Sequence, residues 1–231
     1  MTKKSSDNLF NYKKIITAVL IIIGIIIYLI FGEEITVDNI LNMSPRNRII
    51  ASIFILILYL IKSMSIVGPI MALYIASGLI FPLYWAIPLN ILGVAIGLTY
   101  SYKIGYSSGD FLKEKILSRY DKLNEFYSVV KDNEWFSAFI IRIVGLLPHD
   151  IVNMFFGSLR ISYYKYMTAS IIGLMPMMII STVIGRTITD PTSREFLLAV
   201  IMRVVLSISA SLIYRIILNK SKKSTKEDKI E

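Results

Sequence analysis

The chain has 231 residues, of which 55% are apolar and 18% charged, and its mean hydropathy of +0.64 lies outside the usual range of a soluble domain and inside that of a polytopic membrane protein. It has no cysteine and one histidine, His149, which excludes disulfides, thiolate metal sites and a histidine-rich metal or relay site, so no cofactor or metal is expected. The formal net charge of +9 is concentrated beside apolar runs and not on one soluble face, which argues against nucleic acid as a partner.

In chain order, the tail 1–14 carries Lys3, Lys4, Lys13 and Lys14 and leads into "IITAVLIIIGIIIYLIF", residues 15–31. Those 17 residues hold no charge and come close to the shortest length that crosses about 30 Å of hydrocarbon. The following "FGEEITVDN" is a poor cleavage site, so the run is read as a retained transmembrane helix and not as a signal peptide. Further apolar runs lie at 49–61, 65–102, 136–156, 166–184 and 196–218, and the last is followed by a tail, 219–231, bearing Lys220, Lys222, Lys223, Lys226 and Lys229. Lysines at both ends predict that both termini face the cytoplasm, with the cell membrane as the location. Between two of the runs, residues 110–134 carry six acidic and five basic side chains. Their apolar positions Phe111, Leu112, Ile116, Leu117, Tyr120, Leu123, Tyr127 and Val130 recur at helical spacing, which predicts either an amphipathic helix on the membrane surface or on the bundle, or a solvated linker helix.

A repeat emerges from the prolines and glycines. Pro69, Gly78, Gly93 and Gly105 are spaced P-x8-G-x14-G-x11-G, and Pro148, Gly157, Gly173 and Gly185 are spaced P-x8-G-x15-G-x11-G. Each unit reads as a hairpin broken by Pro and Gly, followed by a full span. Broken backbone at membrane depth is tolerated only where protein or a wet cavity covers it. If each hairpin enters and leaves by one face, the two units run in opposite senses and their tips approach near the midplane. The predicted architecture is therefore an all-α polytopic membrane protein: a core over 49–190 with re-entrant hairpins at 49–83 and 136–160, each followed by a transmembrane helix, plus flanking helices at 15–31 and 196–218. Counting 49–61 as a hairpin arm gives four crossings and leaves both termini on one side. Its 13 apolar residues are short for an untilted span, which favours that count.

Candidate functional residues lie in "IIRIVGLLPHDIVNMFFGSLR", residues 140–160. Arg142 keeps its proton, and its presence in an apolar run calls for a partner, a cavity or the interface. It offers a planar donor fork for phosphate or carboxylate, or it pairs with Asp150 as a packing contact. Asp150 either caps the helix that follows Pro148 or titrates in the same cavity. Asn153 is one turn further on, and Lys62 occupies the place in the first hairpin that Arg142 occupies in the second. Arg203 in the last run either faces the bundle or snorkels, the second being the commoner arrangement, and the tyrosines and phenylalanines at span ends are read as interfacial belts. No nucleophile elbow, phosphate loop or zinc motif is present, so the chain is not expected to be an enzyme.

With these residues in hand, the chain resembles the DedA/VTT family of SNARE-associated membrane proteins over about residues 60–190. The "YKIGYSSG" of Tyr102–Gly109 is similar to the family's Y-x-I-G-R-x-x-G, and Arg142, Pro148, Asp150, Asn153, Gly157, Gly173 and Pro176 resemble its R-x-x-P-x-x-P-x-D-x-x-N-x-x-x-G block and the "IGLMP" element that follows. Gly145 stands where the block usually has a proline, Tyr106 stands where the first motif usually has an arginine, and the first hairpin lacks the acids of the proton-coupled branch. The TVP-type branch fits better. The resemblance implies re-entrant hairpins and lipid translocation, with phospholipids or a polyprenyl phosphate as substrates. Expected partners are membrane lipids, with a second copy of the chain left open. A coupled solute transporter and a non-transporting scaffold are the alternatives.

Overall fold

The structure, a computed structural model, describes residues 37–64, 70–120, 133–145 and 148–227, with side chains as far as Leu212. The expected first span at 15–31, the tail 1–14, Pro69, and Leu123, Tyr127 and Val130 of the amphipathic segment lie outside the described residues. Among the described residues every regular element is an α-helix: α1 (Val37–Met43), α2 (Arg48–Met64), α3 (Ile70–Ile80), α4 (Leu83–Arg119), α5 (Glu134–Val144), α6 (His149–Ser158), α7 (Tyr163–Thr187) and α8 (Arg194–Glu227).

Local sequence sets the boundaries. Asn47 Oδ1 accepts from the Ile49 and Ile50 amides at 2.9 and 3.2 Å and starts α2. Asn133 Oδ1 accepts from Phe136 N at 3.0 Å and starts α5, which Gly145 ends in the left-handed region at φ 62°. Pro82 and Pro148 immediately precede α4 and α6. Gly109, at φ 54° and ψ −137°, divides α4 into an apolar part and a polar one. In the polar part Ile116 is buried and Leu112, Leu117 and Tyr120 pack on the core, whereas Phe111 is 74% exposed. This part of the amphipathic segment therefore lies on the bundle through a narrower face than the spacing predicts.

Lengths sort the helices. Among the described residues three stretches are long and apolar enough to cross a membrane: Leu83–Arg119, Tyr163–Thr187 and Arg194–Leu212. The helices α3 and α5 have 11 residues and α6 has 10, which at 1.5 Å per residue is about half of the hydrocarbon thickness. The helix α2 has 17 residues, not the 13 of its uncharged run, because it starts at Arg48 and continues through Lys62 and Ser63, whose side chains are buried, to Met64.

The short helices are sandwiched between the long ones. The most extensive contacts are α6 on α4 and α3 on α7, and then α5 on α7, α2 on α4 and α8 on α7. Glycines make the closest approaches. A Cβ on Gly157 of α6 would overlap the Tyr102 carbonyl of α4, and one on Gly105 of α4 would overlap Met154 of α6. Likewise, a Cβ on Gly78 of α3 would overlap the Thr182 carbonyl of α7, and one on Gly185 of α7 would overlap Ile75 of α3. The outer surface is apolar: Leu197, Leu198, Ile201, Met202, Val204, Val205, Ile208 and Leu212 of α8 are all exposed, as are Ile49, Ile50, Ile53 and Ile57 of α2. A patch of that extent has lipid as its solvent.

Candidate functional site

The interior carries a polar layer. Tyr59 of α2 donates to Asn90 Oδ1 of α4 at 2.9 Å, and Asn90 Nδ2 donates to Thr182 Oγ1 of α7 at 2.9 Å. Polar groups removed from water need such partners, and this chain of bonds ties three helices together. Next to it, Lys62 of α2 forms an ion pair with Asp150 of α6 at 2.5 Å, with the two side chains 7% and 5% exposed. Ser101 of α4 donates to the other carboxylate oxygen at 3.3 Å. Asp150 therefore neither caps α6, whose N-terminus lacks a side-chain cap, nor pairs with Arg142, as sequence reasoning allowed. A lysine 88 positions away takes that place.

Arg142 projects from α5 toward α7. Gly173 makes the approach feasible, since a Cβ there would stand 2.8 Å from Arg142 Cβ. The guanidinium lies 5.8 Å from the Tyr166 ring centroid, Nε donates to Ser170 Oγ at 3.2 Å, and Nη2 donates to Asn153 Oδ1 at 2.5 Å. Every one of these partners is neutral. Nη1 is buried without a hydrogen-bond partner among the described residues, and so is the hydroxyl of Tyr74 on α3. A buried polar group left unmet costs about 1–3 kcal/mol, so these two atoms are a local cost of the packing around Arg142.

Both residues line a cavity of about 560 Å³ bounded by α3, α5, α7 and α8. That volume suits a small-molecule or head-group site. Arg203 lines the same cavity from α8. Its side chain turns toward the bundle: Nη1 donates to Ser181 Oγ at 2.9 Å and Nη2 to the Met71 sulfur at 2.9 Å. A second cavity of about 20 Å³, room for a single water, lies against Lys62, Asp150 and Asn153. Ile70, His149 and Leu174 line both and form the wall between them. Among the described residues Lys62 and Arg142 are buried with one carboxylate, Asp150, a formal surplus of one positive charge, and the half-buried Arg203 adds another at the large cavity. No group of three potential metal ligands occurs among the described residues.

The structure thus brings Lys62 to Asp150 and Arg142 to Asn153, and links the two pairs through the cavity wall. Pro148 starts α6, and Pro176 interrupts the ladder of α7 at the large cavity. Gly93 accommodates the Tyr59 ring. Sequence reasoning missed Tyr74, Asn90, Ser101 and Ser170. Asn90 had a readable signal, an amide in the middle of an apolar run. Tyr59, Tyr74 and Tyr166 are buried in the bundle and are not interfacial. The serines had no such signal, because small hydroxyls are common in any membrane helix.

The family profile described as VTT domain matches residues 68–187, just over half of the chain. No curated protein and no solved structure gives a match.

Proposed function

The chain belongs to the VTT domain family, the domain of DedA and SNARE-associated membrane proteins, and from that premise we propose that it carries an anionic, phosphate-bearing lipid across the bilayer. The observation that supports this most is a cavity between apolar helices whose lining includes two guanidinium side chains, Arg142 and Arg203. A charged head group makes spontaneous flipping slow, because its desolvation in hydrocarbon is unfavourable. A path with a few fixed donors lowers that barrier while the acyl chains remain in lipid.

The reading includes an inverted repeat. In it α2 and α3 form one re-entrant hairpin followed by the span α4, and α5 and α6 form a second followed by the span α7. The crosswise glycine contacts support it. Gly78 and Gly157 are equivalent in the repeat, as are Gly105 and Gly185; each hairpin glycine packs on the backbone of the other unit's span, at Thr182 and Tyr102, and each span glycine on the backbone of the other unit's hairpin, at Met154 and Ile75. The contact α3–α7 maps onto α6–α4, and α2–α4 onto α5–α7. In this arrangement the Lys62–Asp150 pair joins the two hairpins, and the cytoplasmic location of both termini follows from the lysines.

Reconstitution tests the reading. Purified protein in liposomes should move a short-chain fluorescent phospholipid or a polyprenyl phosphate from the inner to the outer leaflet without any solute gradient. Movement only under a proton or ion gradient would favour a coupled transporter, and no movement of either lipid would remove lipid transport as the function.

A further inference from the structure

Arg203 stands on a helix that the VTT domain match, which ends at residue 187, does not include. It nevertheless lines the same cavity as Arg142. Its partners are a serine hydroxyl and a thioether, and a thioether is a weak acceptor that a phosphate oxygen readily displaces. Among the described residues neither arginine has a carboxylate bonded to it and no Asp or Glu lines the large cavity. Asp150 is occupied by Lys62 on the other side of the wall formed by Ile70, His149 and Leu174.

That charge arrangement discriminates. A zwitterionic head group brings an ammonium with its phosphate, and this cavity offers two guanidiniums to repel the ammonium and no carboxylate to receive it. A phosphomonoester brings two negative charges and presents enough oxygens for both forks. We propose that Arg203 of α8 is a specificity-determining residue that, with Arg142, makes the cavity select phosphate groups of net negative charge over zwitterionic ones. The proposal rests on the phosphate-lipid reading of this cavity and deepens it. The accessory helix α8 then completes a site of which the family domain supplies only half.

The test uses the full chain in detergent and in liposomes. Thermal unfolding is followed while dihexanoyl phosphatidic acid, dihexanoyl phosphatidylcholine or inorganic phosphate is added, and leaflet exchange is measured for fluorescent forms of the same two lipids. The wild-type protein should be half-stabilised by phosphatidic acid at a concentration about tenfold below that needed for phosphatidylcholine, the ratio expected for one extra charge-assisted bond. Arg203→Gln should raise the phosphatidic acid requirement about tenfold and leave phosphatidylcholine nearly unchanged. Arg203→Lys should retain most of the preference, and Arg194→Gln, at the exposed start of the same helix, should retain all of it. Equal affinity of the wild-type protein for both lipids overturns the proposal whether or not any variant folds, as does an Arg203→Gln protein with the preference intact. The remaining outcomes separate the two readings. Selective binding without leaflet exchange removes the transport function and leaves the role of Arg203 standing, and exchange without selectivity does the reverse. Inorganic phosphate binding as tightly as phosphatidic acid would identify a free anion as the ligand and overturn the head-group assignment.

Discussion

Lys62 Nζ of α2 meets Asp150 Oδ2 of α6 at 2.5 Å, joining two helices whose residues are 88 positions apart through a contact that lipid and water hardly reach. A buried pair of this kind contributes modestly against an apolar substitute, yet removing one partner leaves the other charged and unmatched.

Lys62→Met should therefore lower stability by about 3–5 kcal/mol, and Lys62→Met combined with Asp150→Leu should recover most of the loss. Unfolding midpoints in detergent measure both. Arg142→Met with Asp150→Leu should give no such recovery, since Arg142 is bonded to Asn153 and Ser170; recovery there would mean that Asp150 belongs to Arg142.

The glycine contacts give a steric prediction. Gly157→Ala places a Cβ into the Tyr102 carbonyl and Gly185→Ala places one into the Ile75 carbonyl. Backbone cannot yield as a side chain tip can, so each should cost about 2–3 kcal/mol or more. Gly97→Ala, whose added Cβ would meet Ser63 Cβ at 3.4 Å, should be nearly neutral. Folded yield and melting temperature of the three variants check this, and equal behaviour would contradict the packing described for α4–α6 and α3–α7.

Ile70 at the start of α3 and His149 at the start of α6 line both cavities. Because the chain has no cysteine, Ile70→Cys with His149→Cys gives a clean background for a short bifunctional thiol reagent. Intramolecular cross-linking in membranes is expected, and a water-soluble monofunctional thiol reagent should reach the pair only slowly if the hairpin tips lie at depth. Fast labelling without cross-linking would place these ends apart at a surface.

Much of the helical architecture was legible because hydropathy reports the solvent. The long apolar runs became α4, α7 and α8, and Pro148 with Gly145 marked the break between α5 and α6. The proline and glycine spacing picked out Gly78, Gly105, Gly157 and Gly185, the residues at the closest helix crossings. The partners of the charged residues were not legible. Arg142 and Asp150 are eight positions apart and made the obvious pair, whereas Lys62 reaches Asp150 only after three intervening helices have packed. For Arg203 the run 196–218 leaves open whether the side chain snorkels or faces the bundle, and it is the contact with Ser181 that turns it toward the bundle. Hydroxyl groups such as those of Tyr74 and Ser170 acquire meaning only from the cavity and the guanidinium beside them.

The central claim is that Arg142 receives a phosphate head group. Its most direct test is the rate of head-group translocation in liposomes for Arg142→Lys and Arg142→Ala, normalised to folded protein. Lysine keeps the charge and loses the fork, so Arg142→Lys should slow translocation about tenfold, and Arg142→Ala should reduce it to the rate of empty liposomes. An Arg142→Ala protein that folds and moves lipid at the wild-type rate would contradict the account.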